Sequence, residues 1–184
     1  MFLHMGQFAD LVTIAAEQHG LLRTENAVAA GVASATLHRW VADGRLEREA
    51  HGLYRVTALP QGRLTPYMEA TLWANGHGVI SHASALEMLE LCDVFPPRIC
   101  ITVPAAYNPR KRGGEEYRVS RTDLPASDLT VYEGVPVATA FRAIMQSIED
   151  GEDPEQLRLA IRNATTQGLL LRNEAAKLWA RMKR

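Results

Sequence analysis

Between Thr24 and Gly44 the chain spaces small, turn-forming and apolar residues in a way that few folds accommodate. Ala27 lies four residues before Gly31, Val32 follows directly, Leu37 stands six residues on and Trp40 nine. Two helices crossing at a steep angle leave room only for a small side chain at the crossing, which suits Ala27. Gly31 stops the first helix, and Leu37 and Trp40 fall on one stripe of the second. Together these are the small, turn and core positions of a helix-turn-helix. Ser34 is the expected N-cap of the second helix, which runs to about Asp43 before Gly44 closes it. Thr24 is the expected N-cap of the first, over Glu25–Ala30. A preceding helix is predicted from Phe8, Leu11, Val12 and Ala15 at helical spacing, ending at His19-Gly20.

After Gly44, Leu46 opens a short alternating run, and Leu53-Tyr54-Arg55-Val56 follows the turn residues His51-Gly52. This reads as a two-stranded hairpin, the wing of a winged helix-turn-helix. On the second helix Ala35, Thr36, His38, Arg39 and Ala42 fall away from the Leu37/Trp40/Val41 stripe. They are short or polar, as a helix entering the major groove requires, with donors for base edges or phosphates. Arg48, His51 and Arg55 would lie along the wing, within reach of a phosphate backbone or minor groove. Residues 5–60 are therefore predicted to be a DNA-binding domain.

A net charge of −1 argues against a protein that simply coats nucleic acid, but positive groups sharing one face suffice for binding. Between Ser34 and Val56 the chain gathers Arg39, Arg45, Arg48 and Arg55, with His38 and His51, against Asp43, Glu47 and Glu49. No apolar run approaches the roughly 18 residues of a bilayer span, and Met1–Gly6 is too short and polar for a secretory leader. Cys92 and Cys100 fit no Cys-x-x-Cys pattern and read as reduced core thiols. A cytoplasmic protein without membrane contact is expected.

Beyond the wing, Pro60–Pro66 reads as a linker, assigned to residues 61–66, and residues 67–184 as a second, mixed α/β domain, so that the chain as a whole is α+β. Helices are expected from Tyr67, from Ser81 to Leu91, over Ala138–Ile148, from Glu155 to about Thr166, and from Asn173 to Met182. Arg98–Val103 is a β-branched strand, Glu116–Ser120 its partner, and Leu129–Tyr132 with Val135–Val137 a hairpin turning at Glu133-Gly134.

A catalytic or metal site is not evident. His77, His82, Cys92 and Cys100 match no common zinc spacing. Ser81, His82 and Ser84 place hydroxyls beside an imidazole, but sequence neighbours on a helix rarely form a nucleophile–base pair, and no orienting acid is evident. Glu115-Glu116 lacks the lysine and paired acid of a metal-dependent nuclease. No metal, cofactor or enzymatic activity is expected. Arg110-Lys111-Arg112 reads as a solvated loop, with a second phosphate contact as the alternative.

The order of segments resembles the AbiEi-family antitoxins, the DNA-binding half of bacterial type IV toxin–antitoxin pairs associated with abortive infection by phage. The resemblance is carried by Thr24–Val56, by Ile80-Ser81-His82-Ala83-Ser84-Ala85-Leu86, by Ile101-Thr102-Val103-Pro104, and by Glu133-Gly134-Val135-Pro136-Val137-Ala138-Thr139-Ala140-Phe141-Arg142. It implies an N-terminal winged helix-turn-helix and a C-terminal antitoxin domain. It further implies repression of the chain's own operon through inverted repeats in its promoter, possible pairing of two copies on double-stranded DNA, and a nucleotidyltransferase-like toxin as counterpart. The positions matching the family's DNA-contacting elements are Ser34, Thr36, His38 and Arg39 on the recognition helix, and Arg45, Arg48, His51 and Arg55 in the wing. The alternative is an antitoxin that neutralises its toxin by direct binding, with DNA binding secondary.

Overall fold

The computed structural model describes residues 3–109 and 113–183. The N-terminal part runs α1 (Leu3–Glu17), β1 (Leu21–Arg23), α2 (Thr24–Ala29), α3 (Ser34–Ala42), β2 (Leu46–Ala50) and β3 (Leu53–Val56). The three strands form one antiparallel sheet in the order β1-β3-β2. Gly31 adopts φ +73°, a left-handed conformation that reverses the chain between α2 and α3 without a Cβ penalty. Leu11, Ala15, Leu22, Ala27, Val32, Leu37, Trp40, Leu46, Tyr54 and Val56 form a core of their own. Ala27, at 0% exposure, is packed within that core.

Three local features differ from expectation. The structure adds strand β1: three residues between Gly20 and a helix are too few for period-two alternation to register. Thr24 is the first residue of α2 rather than its cap; Arg23 holds the cap position, and its backbone N–H donates to Asn26 Oδ1 at 2.8 Å. Ser34 likewise lies inside α3. The extended residue before it, Ala33 (ψ 147°), is the cap, and no side chain caps that end.

The second part comprises α4 (Thr65–Trp73), β4 (Val79–Ile80), α5 (His82–Met88), β5 (Ile99–Val103), β6 (Tyr117–Arg121), β7 (Leu129–Tyr132), β8 (Val135–Ala138), α6 (Ala140–Glu149), α7 (Pro154–Thr166) and α8 (Arg172–Met182). Its five-stranded mixed sheet has the order β6-β5-β4-β8-β7, with β5–β6 and β4–β8 parallel. Helix α4 begins at Thr65, within the expected linker, with Pro66 in its first turn. Leu64 and Thr65 are buried, and Thr65 Oγ1 accepts the Gly62 N–H at 2.9 Å. Buried almost all round, α4 packs against β1 on one side and β4, β5 and β8 on the other. The other helices end close to expectation, except that α5 stops at Met88.

The small sheet presents different residues on its two faces. Leu22, Tyr54, Val56 and Leu46 join the N-terminal core, whereas Leu21 and Leu53 join the large core of the second part. Arg23 donates to the Asn75 carbonyl at 2.7 Å, and His19 Nε2 lies 2.7 Å from the Glu133 carbonyl in the β7–β8 turn. The described residues thus build a mixed α/β protein of eight α-helices and two sheets, whose N-terminal element order is consistent with a winged helix-turn-helix.

Candidate nucleic-acid interface

Helix α3 turns Leu37 and Trp40 inward and leaves Ser34, Ala35, His38 and Arg39 exposed, with Thr36 half-buried. Leu37 and Trp40 are 1% and 2% exposed, so the helix is pinned along one stripe and its polar residues project from the opposite side. Arg39 has no ion-pair partner among the described residues. Its charge is therefore available to an external acceptor.

Arg45 lies in the short link between α3 and β2. Its guanidinium lies 3.6 Å from the centroid of the Phe8 ring and 5.6 Å from that of Trp40, while Phe8 and Trp40 meet edge to face at 5.0 Å. Stacking on aromatic faces holds this cation in place while its outer side stays in solvent. It also sits just beyond the C-terminus of α3, where positive charge is favourable. The link to β2 is closed by Thr57, whose hydroxyl donates to the Gly44 carbonyl at 2.8 Å.

The expected hairpin is present: β2 and β3 are joined through His51-Gly52, with an irregularity in pairing between Arg48 and Ala50. Arg48 and His51 are both exposed near the tip, and Arg48 Nη2 lies 3.2 Å from His51 Nδ1. His38 and Arg39 thus lie on α3, Arg45 in the link that follows it, and Arg48 and His51 on the hairpin.

Arg55 is placed differently from the other wing cations, because β3 is the central strand of the sheet. Arg55 stands opposite Leu21 on β1 and Glu47 on β2, on the face turned away from the N-terminal helices. Its Nε donates to Glu49 Oε1 at 2.6 Å, and its Nη2 pairs with Glu47. The side chain is 15% exposed. It therefore neutralises the two carboxylates of the wing rather than projecting a free charge. That arrangement matters for the interface: with Glu47 and Glu49 engaged, Asp43 is the one remaining carboxylate between Ser34 and Val56 to set against Arg39, Arg45 and Arg48.

The hydroxyl–imidazole neighbours of the second part have structural partners. Ser81 Oγ accepts from Thr102 Oγ1 at 2.9 Å and lies 2.9 Å from His82 Nδ1. Ser84 Oγ accepts the Cys100 N–H at 2.8 Å. His82 carries φ +52° and is 7% exposed. Burial holds its imidazole below the usual histidine range, Arg118 pushes the same way, and Asp150 and Glu149 oppose them. Burial, helped by Glu152 and Asp93, raises the Cys92 thiol to about 12, so this sulfur stays protonated and unreactive. Among the described residues no group of three or more His, Cys, Asp or Glu side chains is placed to hold a metal ion. No helix among them is long and apolar enough to cross a membrane. Arg110-Lys111-Arg112 lies outside the described residues.

No curated protein sequence matches the chain. Among solved structures, the RV2827C protein from Mycobacterium tuberculosis is similar at a TM-score of 0.48 and 16% identity, over 96% of this chain and 81% of that one. Residues 10–57, which run from α1 through the whole wing, match the family described as "Transcriptional regulator, AbiEi antitoxin".

Proposed function

We propose that residues 5–60 form a winged helix-turn-helix that binds double-stranded DNA, and that the chain is an antitoxin repressing its own operon. The observation that carries this reading is the free, exposed polar face of α3. It presents Ser34, His38 and Arg39 beside a basic hairpin, within the segment that matches a family of transcriptional regulators. In this reading α3 enters the major groove. Thr36, His38 and Arg39 lie toward base edges, Ser34 and Arg45 toward phosphates at the two ends of the helix, and Arg48 and His51 toward the backbone beside the groove. Arg55 holds the wing's carboxylates out of the field those cations create.

The second part, proposed as the antitoxin domain from residue 67 onward, takes in the buried Leu64 and Thr65 as well, leaving residues 61–63 as the join, and the proposed counterpart is a nucleotidyltransferase-like toxin. Inverted-repeat operators place two copies on the DNA, because operator symmetry mirrors protein symmetry. A fluorescence-anisotropy titration against DNA from upstream of the chain's own gene, with a scrambled control at two salt concentrations, tests the reading. Sequence-selective, salt-sensitive binding supports it. Equal or absent binding to both DNAs removes α3 and the wing from any regulatory role.

A further inference from the structure

The two ends of α7 carry opposite chemistry. Near its N-terminal end Phe95 stands 81% exposed on the loop after α5. Around this ring lie three adjoining hollows of about 490, 470 and 290 Å³. Five carboxylates line them: Glu87, Glu90, Asp93, Glu152 and Asp153. The cations present are Arg98, Arg63, which pairs with Glu90 at 3.2 Å, and Arg118, which pairs with Asp150 at 2.5 Å. An exposed aromatic set among concavities with a charged rim has the anatomy of a docking surface.

At the other end of α7, the turn into α8 exposes Leu169 and Leu171, at 44% and 65%. Arg162 precedes the turn, Arg172 follows it, and Lys177 and Arg181 lie one turn apart on the exposed side of α8. The charge of the chain is divided accordingly: residues 154–184 hold seven Lys and Arg against two Asp and Glu, and residues 1–153 hold thirteen against nineteen. The hollows extend along α7 from Gln156 to Asn163 and the leucine turn lies beyond Thr166, so within one copy the turn does not fill them. A second copy can.

We propose that the chain associates head to tail with a second copy of itself, the acidic Phe95 surface of one copy receiving the basic Leu169–Leu171 turn of the next. The apolar side chains supply the buried centre, and the opposed charges fix which ends meet and speed their encounter. Such a contact is heterologous, leaving each copy one unused surface of each kind unless a ring closes. It involves neither α3 nor the wing, so it stands independently of DNA binding.

The test is sedimentation equilibrium of the full chain, of Phe95→Asp, and of the double variant Leu169→Asp/Leu171→Asp. All three substituted residues are exposed, and unchanged thermal unfolding of the variants confirms that each folds. The wild type is expected to self-associate, more weakly in about 0.5 M than in about 0.05 M salt, and each variant to weaken association by at least about tenfold. Mixing the two variants then restores one productive contact, between the intact Phe95 surface of one and the intact leucine turn of the other, giving a capped dimer. A wild type monomeric at all concentrations overturns the proposal. So does self-association that survives both variants, or variants that fail to complement when mixed.

Discussion

Replacing Arg55 by alanine separates a cation that touches DNA from one that organises the wing. The guanidinium bonds two carboxylates and is 15% exposed, with Glu49 at 24% and Glu47 at 56%. The more exposed Glu47 pair is worth about 0.5 kcal/mol after solvent screening and the Glu49 pair about 1 kcal/mol. Arg55→Ala is therefore expected to lower the unfolding free energy by about 1–2 kcal/mol, since Glu47 and Glu49 are then left facing each other without a cation. Adding Glu47→Gln and Glu49→Gln removes that repulsion and is expected to recover roughly half of the loss. Urea unfolding followed by tryptophan fluorescence measures both. In DNA titrations the slope of log K against log salt should stay at its wild-type value in the triple variant, because no phosphate contact has been removed. A slope shallower by about 0.9, with stability unchanged, would show that Arg55 meets a phosphate and would refute the assignment.

Three further outcomes follow from the same geometry. Arg39→Ala should weaken operator binding by about 1–3 kcal/mol with little change on random DNA if Arg39 reads a base; equal loss on both makes it a phosphate contact. Arg48→Ala should weaken binding to every sequence and flatten the salt dependence by about 0.9, and an unchanged slope removes the wing tip from the interface. The imidazole of His82 is held below its ordinary value of about 6.5, so below that pH the unfolded chain binds the extra proton first. The His82 contribution is complete above about pH 6.5 and is lost as pH falls toward the folded value. His82→Asn, which tolerates the positive φ, should flatten the fall in urea midpoint below pH 6.5; an identical fall in the variant assigns the acid sensitivity to other groups.

The parts of the fold written locally were legible in the sequence. The Leu37–Trp40 stripe announced which side of α3 is buried, and therefore that Ala35, His38, Arg39 and Ala42 are exposed, whereas Thr36, read on the same open side, is half-buried. The glycine between two short alternating runs announced the β2–β3 hairpin. What escaped was set by partners distant in the chain. β1 exists because Leu21, Leu22 and Arg23 pair with Arg55, Tyr54 and Leu53, and three residues carry no periodicity of their own. The role of Arg55 depends on strand register, since only pairing β2 with β3 brings Glu47 and Glu49 to its guanidinium. The stretch after Leu59 hid the start of α4 because its punctuation residues, Pro60, Gly62 and Pro66, flank the buried Leu64 and Thr65. The Phe8–Arg45 stack likewise joins residues from two elements whose approach no spacing rule encodes.

Leu21 and Leu53, 0% and 2% exposed, belong to the small sheet yet fill the core of the larger part. A fragment cut after the wing would carry an uncovered apolar face, and the remaining fragment a matching cleft beside α4. Heating the intact chain should accordingly produce one calorimetric transition spanning both parts rather than two, and an excised N-terminal fragment should aggregate or melt well below it. The element that presents α3 is thus not a detachable reading head on a tether: its orientation is fixed by the same packing that makes the rest of the protein fold.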